Sequence, residues 1–167
     1  MLKGISKKEI EIISWLEFNQ KYFFTSVDIE KFSKDKTQRY NLIKNLLKKK
    51  RIVKLNKTKY YLIPIKAKSG SWSEHSFIIA DEVCNSEDYF IGGWAAANYW
   101  KLTEQIPMRV DLFTTKRQGK VQVLNTRIVF HRTTKKRLQY FVTKKIEQHE
   151  FKILNREESK EWLKSRI

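Results

Sequence analysis

Apolar residues recur at helical spacing early in the chain. Ile12, Ile13, Trp15, Leu16 and Phe18 fit one amphipathic helix running to about Gln20. Ser6-Lys7-Lys8-Glu9 ahead of them has the form of a capping box, in which hydroxyl and carboxylate satisfy reciprocal backbone amides. Tyr22-Phe23-Phe24 reads as a short extended segment. Thr25 or Ser26 can cap a short second helix whose apolar residues are Val27, Ile29 and Phe32. Ser33 to Asp35 form a turn, and a third helix is predicted from Lys36 to about Lys49. Its apolar stripe is Tyr40, Leu42, Ile43, Leu46 and Leu47, an arc of about 160° at 100° per residue. Thr37, Gln38, Asn41, Lys44, Asn45 and Lys48 take the opposite face, with no acidic residue among them. Two strands follow, one with Ile52, Val53 and Leu55 and one from Tyr60 to Ile63, with Asn56-Lys57-Thr58 at the tip. Helices and a basic hairpin in this order spell a winged helix-turn-helix over residues 1–68.

From Ile65 to Ser73 the composition turns polar and reads as a linker. The second region, 74–167, begins with a short helix around Phe77 to Ala80 and a turn at Asn85-Ser86. A helix of small and aromatic residues spans Trp94 to Trp100. Three strands are expected at Val110–Thr115, Val121–Phe130 and Leu138–Val142. A fourth, Phe151–Leu154, leads into a helix capped by Asn155 that contains Trp162 and Leu163. The fold class read from this pattern is α+β: an N-terminal winged helix-turn-helix followed by a mixed α/β domain.

Charge gives this architecture a direction. The 167 residues carry 35 Lys and Arg against 18 Asp and Glu, a net of +17. Residues 1–68 hold 18 basic and 6 acidic side chains, net +12, and residues 69–167 hold 17 and 12, net +5. A lysine-rich surface would raise the total, but not this asymmetry. Such a surface attracts polyanions, and nucleic acid is the first partner to consider. In a helix-turn-helix the third element enters the major groove, where Asn and Gln pair with adenine in bidentate fashion and Lys reaches guanine or phosphate. Gln38 and Asn41, a turn apart near the helix start, are therefore candidates for base readout, with Lys36 and Thr37 beside them. Lys44 and Lys48 suit phosphates. The helix ends in Lys48-Lys49-Lys50-Arg51 where many such domains place glycine, a choice that costs about 1 kcal/mol. Arg51, Lys54, Lys57 and Lys59 are candidate backbone contacts from the hairpin.

Catalytic and metal chemistry have little support. Cys84 is the single cysteine, which excludes an intrachain disulfide and a Cys-based zinc site. His75, His131 and His149 are scattered without metal-ligand spacing, and no Gly-rich phosphate loop or nucleophile elbow occurs. Neither a metal nor a cofactor is expected. One arrangement, Asp111 with Glu150-Phe151-Lys152, has the form of a magnesium-dependent nuclease site, a short match that arises readily by chance. The start of the chain lacks an apolar signal core and no apolar run approaches membrane-spanning length, so a cytoplasmic, membrane-free protein is expected.

Residues 89 to 107 form the most distinctive stretch. Tyr89-Phe90-Ile91-Gly92-Gly93 leads into Trp94-Ala95-Ala96-Ala97-Asn98-Tyr99-Trp100 and then Leu102-Thr103-Glu104-Gln105-Ile106-Pro107. With Val110-Asp111-Leu112-Phe113-Thr114-Thr115-Lys116-Arg117, it resembles the AbiEi antitoxins of type IV toxin–antitoxin (abortive infection) systems. The resemblance implies an N-terminal winged helix joined to a C-terminal antitoxin domain. It also implies repression of the protein's own operon and the countering of a nucleotidyltransferase-type toxin encoded alongside, for which a stable complex between the two is not required. Members of the family continue through further helices beyond the point matched by Ile167, so repression is the better supported half. A metal-dependent nuclease delivered by a winged helix and a stand-alone transcription regulator are the alternatives.

Within that stretch, Gly92-Gly93 permits close backbone approach, and Ala95, Ala96 and Ala97 let a helix pack tightly on a sheet. Trp94, Tyr99 and Trp100 read as core. Thr103-Glu104-Gln105 fits either a functional surface loop or a capping role. Lys116, Arg117, Lys120, Arg127, Arg132, Lys135, Lys136 and Arg137 follow with no acidic residue between them. They form a second phosphate-facing patch, a toxin-facing one, or a solvated sheet face.

Overall fold

A computed structural model describes residues 4–66 and 74–167, so most of the linker expected over 65–73 lies outside the described residues. The chain divides into two compact units, Met1–Trp72 and Ser73–Ile167. Among the described residues there are five α-helices and two sheets, an α+β architecture.

In the first unit, helix α1 (Lys7–Phe18) starts at the expected capping box. Glu9 N donates to Ser6 Oγ at 3.3 Å and Ser6 N to Glu9 Oε2 at 2.6 Å. Ile12, Ile13 and Leu16 are fully buried, but Phe18 is 89% exposed. It sits about 200° round the helix from Leu16, away from the stripe it was assigned to. Strand β1 (Phe23–Thr25) takes up the candidate cap Thr25. Asp28 Oδ2 instead accepts from Thr25 N at 2.7 Å, while Oδ1 pairs with Lys21 at 2.6 Å. The second helix therefore does not form as an α-helix. The segment closes through i→i−3 bonds such as Phe32 N to Ile29 O at 3.1 Å, with one 3₁₀ turn at Glu30–Phe32. So short a segment does not offset the cost of nucleating α-helix.

Helix α2 (Lys36–Lys48) is followed by β2 (Ile52–Lys54) and β3 (Lys59–Leu62). The three strands form an antiparallel sheet in the order β1-β3-β2, with Phe24 opposite Tyr60 and Ile52 opposite Leu62. Ile12, Leu16, Phe24, Ile29, Ile43, Leu46 and Leu62 make one core, each fully buried or nearly so. Burying side chains of this size stabilises by about 1.5–3 kcal/mol apiece.

The second unit is built on a six-stranded mixed sheet. Its strands are β4 (Phe90–Gly92), β5 (Val110–Thr114), β6 (Gly119–Val123), β7 (Thr126–Arg132), β8 (Phe141–Ile146) and β9 (His149–Leu154), in the order β6-β7-β5-β4-β9-β8. Two expectations are corrected. The strand foreseen at Val121–Phe130 is a hairpin, broken at Leu124, which adopts a left-handed φ of 52°. The strand foreseen at Leu138–Val142 starts as a 3₁₀ turn, Arg137–Tyr140, and becomes β8 only at Phe141.

Helix α3 (Ser76–Val83) packs Phe77 on Phe151 of β9 at 5.2 Å between ring centroids. Helix α4 (Gly93–Tyr99) leaves the end of β4 through the two glycines. A Cβ on Gly92 would come within 2.6 Å of the Phe113 ring, and one on Gly93, whose φ is +60°, within 3.2 Å of the Asp111 carboxylate. The glycines are what lets the backbone lie against these two side chains. Trp94, Tyr99 and Trp100 are half-buried rather than fully buried, Trp100 Nε1 donating to Leu154 O at 2.8 Å. The loop Thr103-Glu104-Gln105 is fastened by Asn98 Nδ2, which donates to Gln105 O at 3.1 Å. Helix α5 (Arg156–Lys164) starts where Asn155 Oδ1 accepts from Glu158 N at 2.8 Å.

Candidate nucleic-acid interface

Asp35 sets the start of α2, its Oδ1 accepting from Thr37 N at 2.6 Å and Gln38 N at 3.1 Å. Arg39, which the hydrophobic pattern gave no reason to single out, fixes the helix from its inner side. It is 6% exposed, and its Nη1 donates to Ser33 O at 2.9 Å, Lys34 O at 3.1 Å and Glu30 Oε1 at 3.3 Å. The guanidinium thus ties the preceding turn to α2 through charge-assisted bonds. Ile43 and Leu46 complete the buried side.

The outward side is the polar face. Lys36, Thr37, Gln38, Asn41, Lys44, Asn45 and Lys48 are all exposed. Tyr40, placed on the buried stripe by the sequence pattern, is 63% exposed and belongs to this face instead. At about 20° from Leu47 and 40° from Lys44, it lies at the edge of the stripe, where helical periodicity is least decisive. The Asn41 side chain makes no hydrogen bond to any described residue, whereas Gln38 Oε1 accepts from Ser33 Oγ at 3.0 Å.

The candidate cations at the helix end and hairpin divide in two. Lys48, Lys50, Lys54 and Lys57 are exposed, and Lys59 is half-buried. Asn56 Oδ1 accepts from Thr58 N at 3.0 Å and Lys59 N at 2.9 Å, a side-chain turn that shapes the tip carrying Lys57. Arg51 departs from its expected role as an outward contact. It is half-buried, and its Nη2 donates to Ile63 O at 3.2 Å, which braces the base of the hairpin. Lys49 points inward too, pairing with the buried Glu9 carboxylate at 2.5 Å and donating to Gly4 O at 2.9 Å. Lys50 takes the left-handed position at φ 55° where glycine would be strain-free. Lys50 N to Leu47 O and Arg51 N to Leu46 O, both 3.0 Å, complete a Schellman motif.

The eight cations between Lys116 and Arg137 are all exposed but do not share one surface. Lys120 lies opposite Val129, and Val129 beside Asp111, so Lys120, Arg127 and His131 share a sheet face with Asp111. The Arg117 guanidinium lies over the Phe130 ring at 3.9 Å, on the other face. Lys116 approaches Glu87 at 3.9 Å. Arg132 alternates with His131, and Lys135 and Lys136 precede the 3₁₀ turn that carries Arg137.

The nuclease arrangement is not assembled. Asp111 is level with Gly92, and the parallel pairing of Ile91 with Ile153 brings Leu154 level with both. Glu150 lies four residues back along β9, about 13 Å away in addition to two strand spacings of about 4.8 Å. Asp111 is held by His131 Nε2 at 2.7 Å and Arg109 Nε at 3.2 Å, Glu150 by Lys145 at 3.4 Å, and Lys152 Nζ donates to Ser86 O at 2.7 Å. A different cluster does form. Asp81, Glu82 and His149 bring ligand-type atoms within 4.8 Å of one another, although the histidines are scattered in the sequence without metal-ligand spacing. The Asp81 oxygens are already engaged: Tyr89 Oη donates at 2.6 Å and Ser86 Oγ at 2.7 Å, with His149 Nε2 at 2.8 Å. These bonds satisfy a buried carboxylate carried by α3 itself. Burial, and after it the bond to Asp81, pushes the Tyr89 hydroxyl far above its ordinary range.

No family model and no curated protein matches this chain. Among solved structures, it is similar to the crystal structure of the RV2827C protein from Mycobacterium tuberculosis. The TM-score is 0.57 at 12% identity, covering 83% of this chain and 50% of that one. The chain thus spans about half the length of that protein, and at this identity the likeness is one of fold. No helix among the described residues is long and apolar enough to cross a membrane.

Proposed function

We propose that the first unit is a winged helix-turn-helix that binds double-stranded DNA, and that the protein is a cytoplasmic transcriptional repressor. The observation that carries this reading is the outward face of α2. It is exposed and free of acidic residues from Thr37 to Lys48, and the Lys57-tipped hairpin follows it directly in the chain. In that role α2 lies in the major groove, Asn41 and Gln38 read base edges, and Lys44, Lys48, Lys54 and Lys57 neutralise phosphates. The resemblance of residues 89–117 to AbiEi antitoxins extends the proposal. The DNA is then the promoter of the protein's own operon, and the protein counters a nucleotidyltransferase-type toxin from the same operon.

The test compares binding to DNA from upstream of its own gene with binding to random duplex. Asn41→Ala is expected to cost about 1–3 kcal/mol on the first and much less on the second. Lys48→Ala and Lys57→Ala are expected to weaken both alike. Equal behaviour of all three variants on both DNAs would remove the assigned reading face. Co-expression with the neighbouring toxin tests the antitoxin half: growth rescue supports it, and unrelieved toxicity leaves a stand-alone regulator.

A further inference from the structure

We propose that the second unit binds a nucleoside phosphate in a two-lobed cleft between its sheet, α4 and α5. This site is separate from the DNA-reading face and does not depend on it. The larger lobe encloses about 430 Å³ and the adjoining one about 270 Å³, joined at Gly93, Phe113, Arg137, Trp162 and Ser165. Sites for small organic ligands are of this size, apolar for the most part with a few convergent polar groups.

The two lobes differ in charge. Arg109, Arg137, Arg166 and His131 line the larger one against a single carboxylate, Asp111. Asp111 is 4% exposed and touches His131 and Arg109, so it orients both and offsets one positive charge. Arg137 and Arg166 make no ion pair with any described residue. Their guanidiniums remain available for the planar, forked contacts that phosphate oxygens accept. The smaller lobe carries two acids, Glu158 and Glu161, the latter paired with Lys164 at 2.7 Å. Carboxylates there repel a phosphate and accept from hydroxyl or amino groups.

Aromatic rings join the lobes. Phe113 lies between Phe90, at 5.1 Å and 7° between planes, and His131, at 4.9 Å and 23°. Gly92 leaves Phe113 the room to do so. Trp94 and Trp162 meet edge to face at 5.4 Å at the side of the cleft. A ligand with an anionic end, a flat aromatic body and hydrogen-bond donors matches the three environments in order. A nucleotide whose base bears an amino group is such a ligand, either free or as the phosphorylated end of a single strand.

Calorimetric titration of the whole protein tests this with ATP, GTP, adenosine and inorganic phosphate. A short single-stranded RNA with and without a 5′-phosphate completes the set. Saturable binding of a nucleotide, or of the phosphorylated RNA over its hydroxyl form, is expected. The first result identifies the free nucleotide as the source and the second a strand end. Arg137→Ala with Arg166→Ala is expected to lower the affinity at least tenfold and to keep the protein folded with a cooperative melt, since both residues are exposed and Arg166 loses only its contact over the Trp162 ring at 5.4 Å. Asn41→Ala with Lys57→Ala is expected to leave it unchanged. No saturable binding, equal affinity for inorganic phosphate and nucleotide, or sensitivity only to the α2 variants would overturn the proposal.

Discussion

Lys49 and Arg51 stand in a run of four cations, yet each is spent inside the fold, on the Glu9 carboxylate and on Ile63 O respectively. Burial by itself would push the Glu9 carboxyl up. The Lys49 ammonium and the bonds with Ser6 outweigh it and hold Glu9 below its ordinary range. A depressed folded value means that Glu9 stabilises the fold above the ordinary carboxylate range, and that this contribution is lost as pH falls through the lowered value. Denaturant titrations between pH 7 and 2 are expected to show a shallower acid loss for Glu9→Gln than for the wild type. Superimposable acid limbs would contradict the pairing. Lys49→Met, which strands the buried carboxylate, is expected to cost about 3 kcal/mol at neutral pH. Cys84 presents the reverse case. Burial, with Asp81 nearby, pushes its thiol up to about 12, so little thiolate exists at neutral pH. Alkylation in the folded protein is expected to be far slower than in denaturant, and comparable rates would show the side chain to be open.

Helix α2 owes its end to a residue with no intrinsic taste for the job. Lys50 sits at φ 55°, so Lys50→Gly is expected to raise stability by about 1 kcal/mol in thermal melts. A loss of stability would mean that the lysine side chain is held by something worth more than the strain. This left-handed end was legible from the missing glycine, as were the capping box of α1 and the polar face of α2, because each depends on residues within one or two turns. The segment from Thr25 to Phe32 was misread as α-helix. Its outcome is decided by Asp28, which can cap backward onto Thr25 as easily as it can join a helix. Tyr40 was misassigned because it lies at the edge of the apolar arc, where neighbours decide. Arg39 and the Asp81–His149 pair escaped notice for another reason. Their partners are set by tertiary structure, His149 lying 68 residues from Asp81 in the chain. The Phe90–Phe113–His131 stack likewise depends on strand register, which no single-strand pattern contains.

At the scale of the molecule, the charge is concentrated in the unit proposed to bind DNA: residues 1–68 carry +12 of the +17. That net already counts Glu9 and Glu30, which pair with Lys49 and Arg39, while Lys44, Lys48, Lys54 and Lys57 face solvent. The second unit adds a cleft of its own, with a basic lobe and an acidic one. The central claim is that α2 and the hairpin bind duplex DNA, and the salt dependence of that binding tests it most directly. Log affinity of the whole protein for duplex DNA, followed against log salt concentration, is expected to fall with a slope of about −0.9 for each phosphate neutralised, and about four to eight such contacts are anticipated. Lys48→Ala combined with Lys57→Ala is expected to flatten the slope by about two units. A slope near zero, or one that this double variant leaves unchanged, would contradict the assignment.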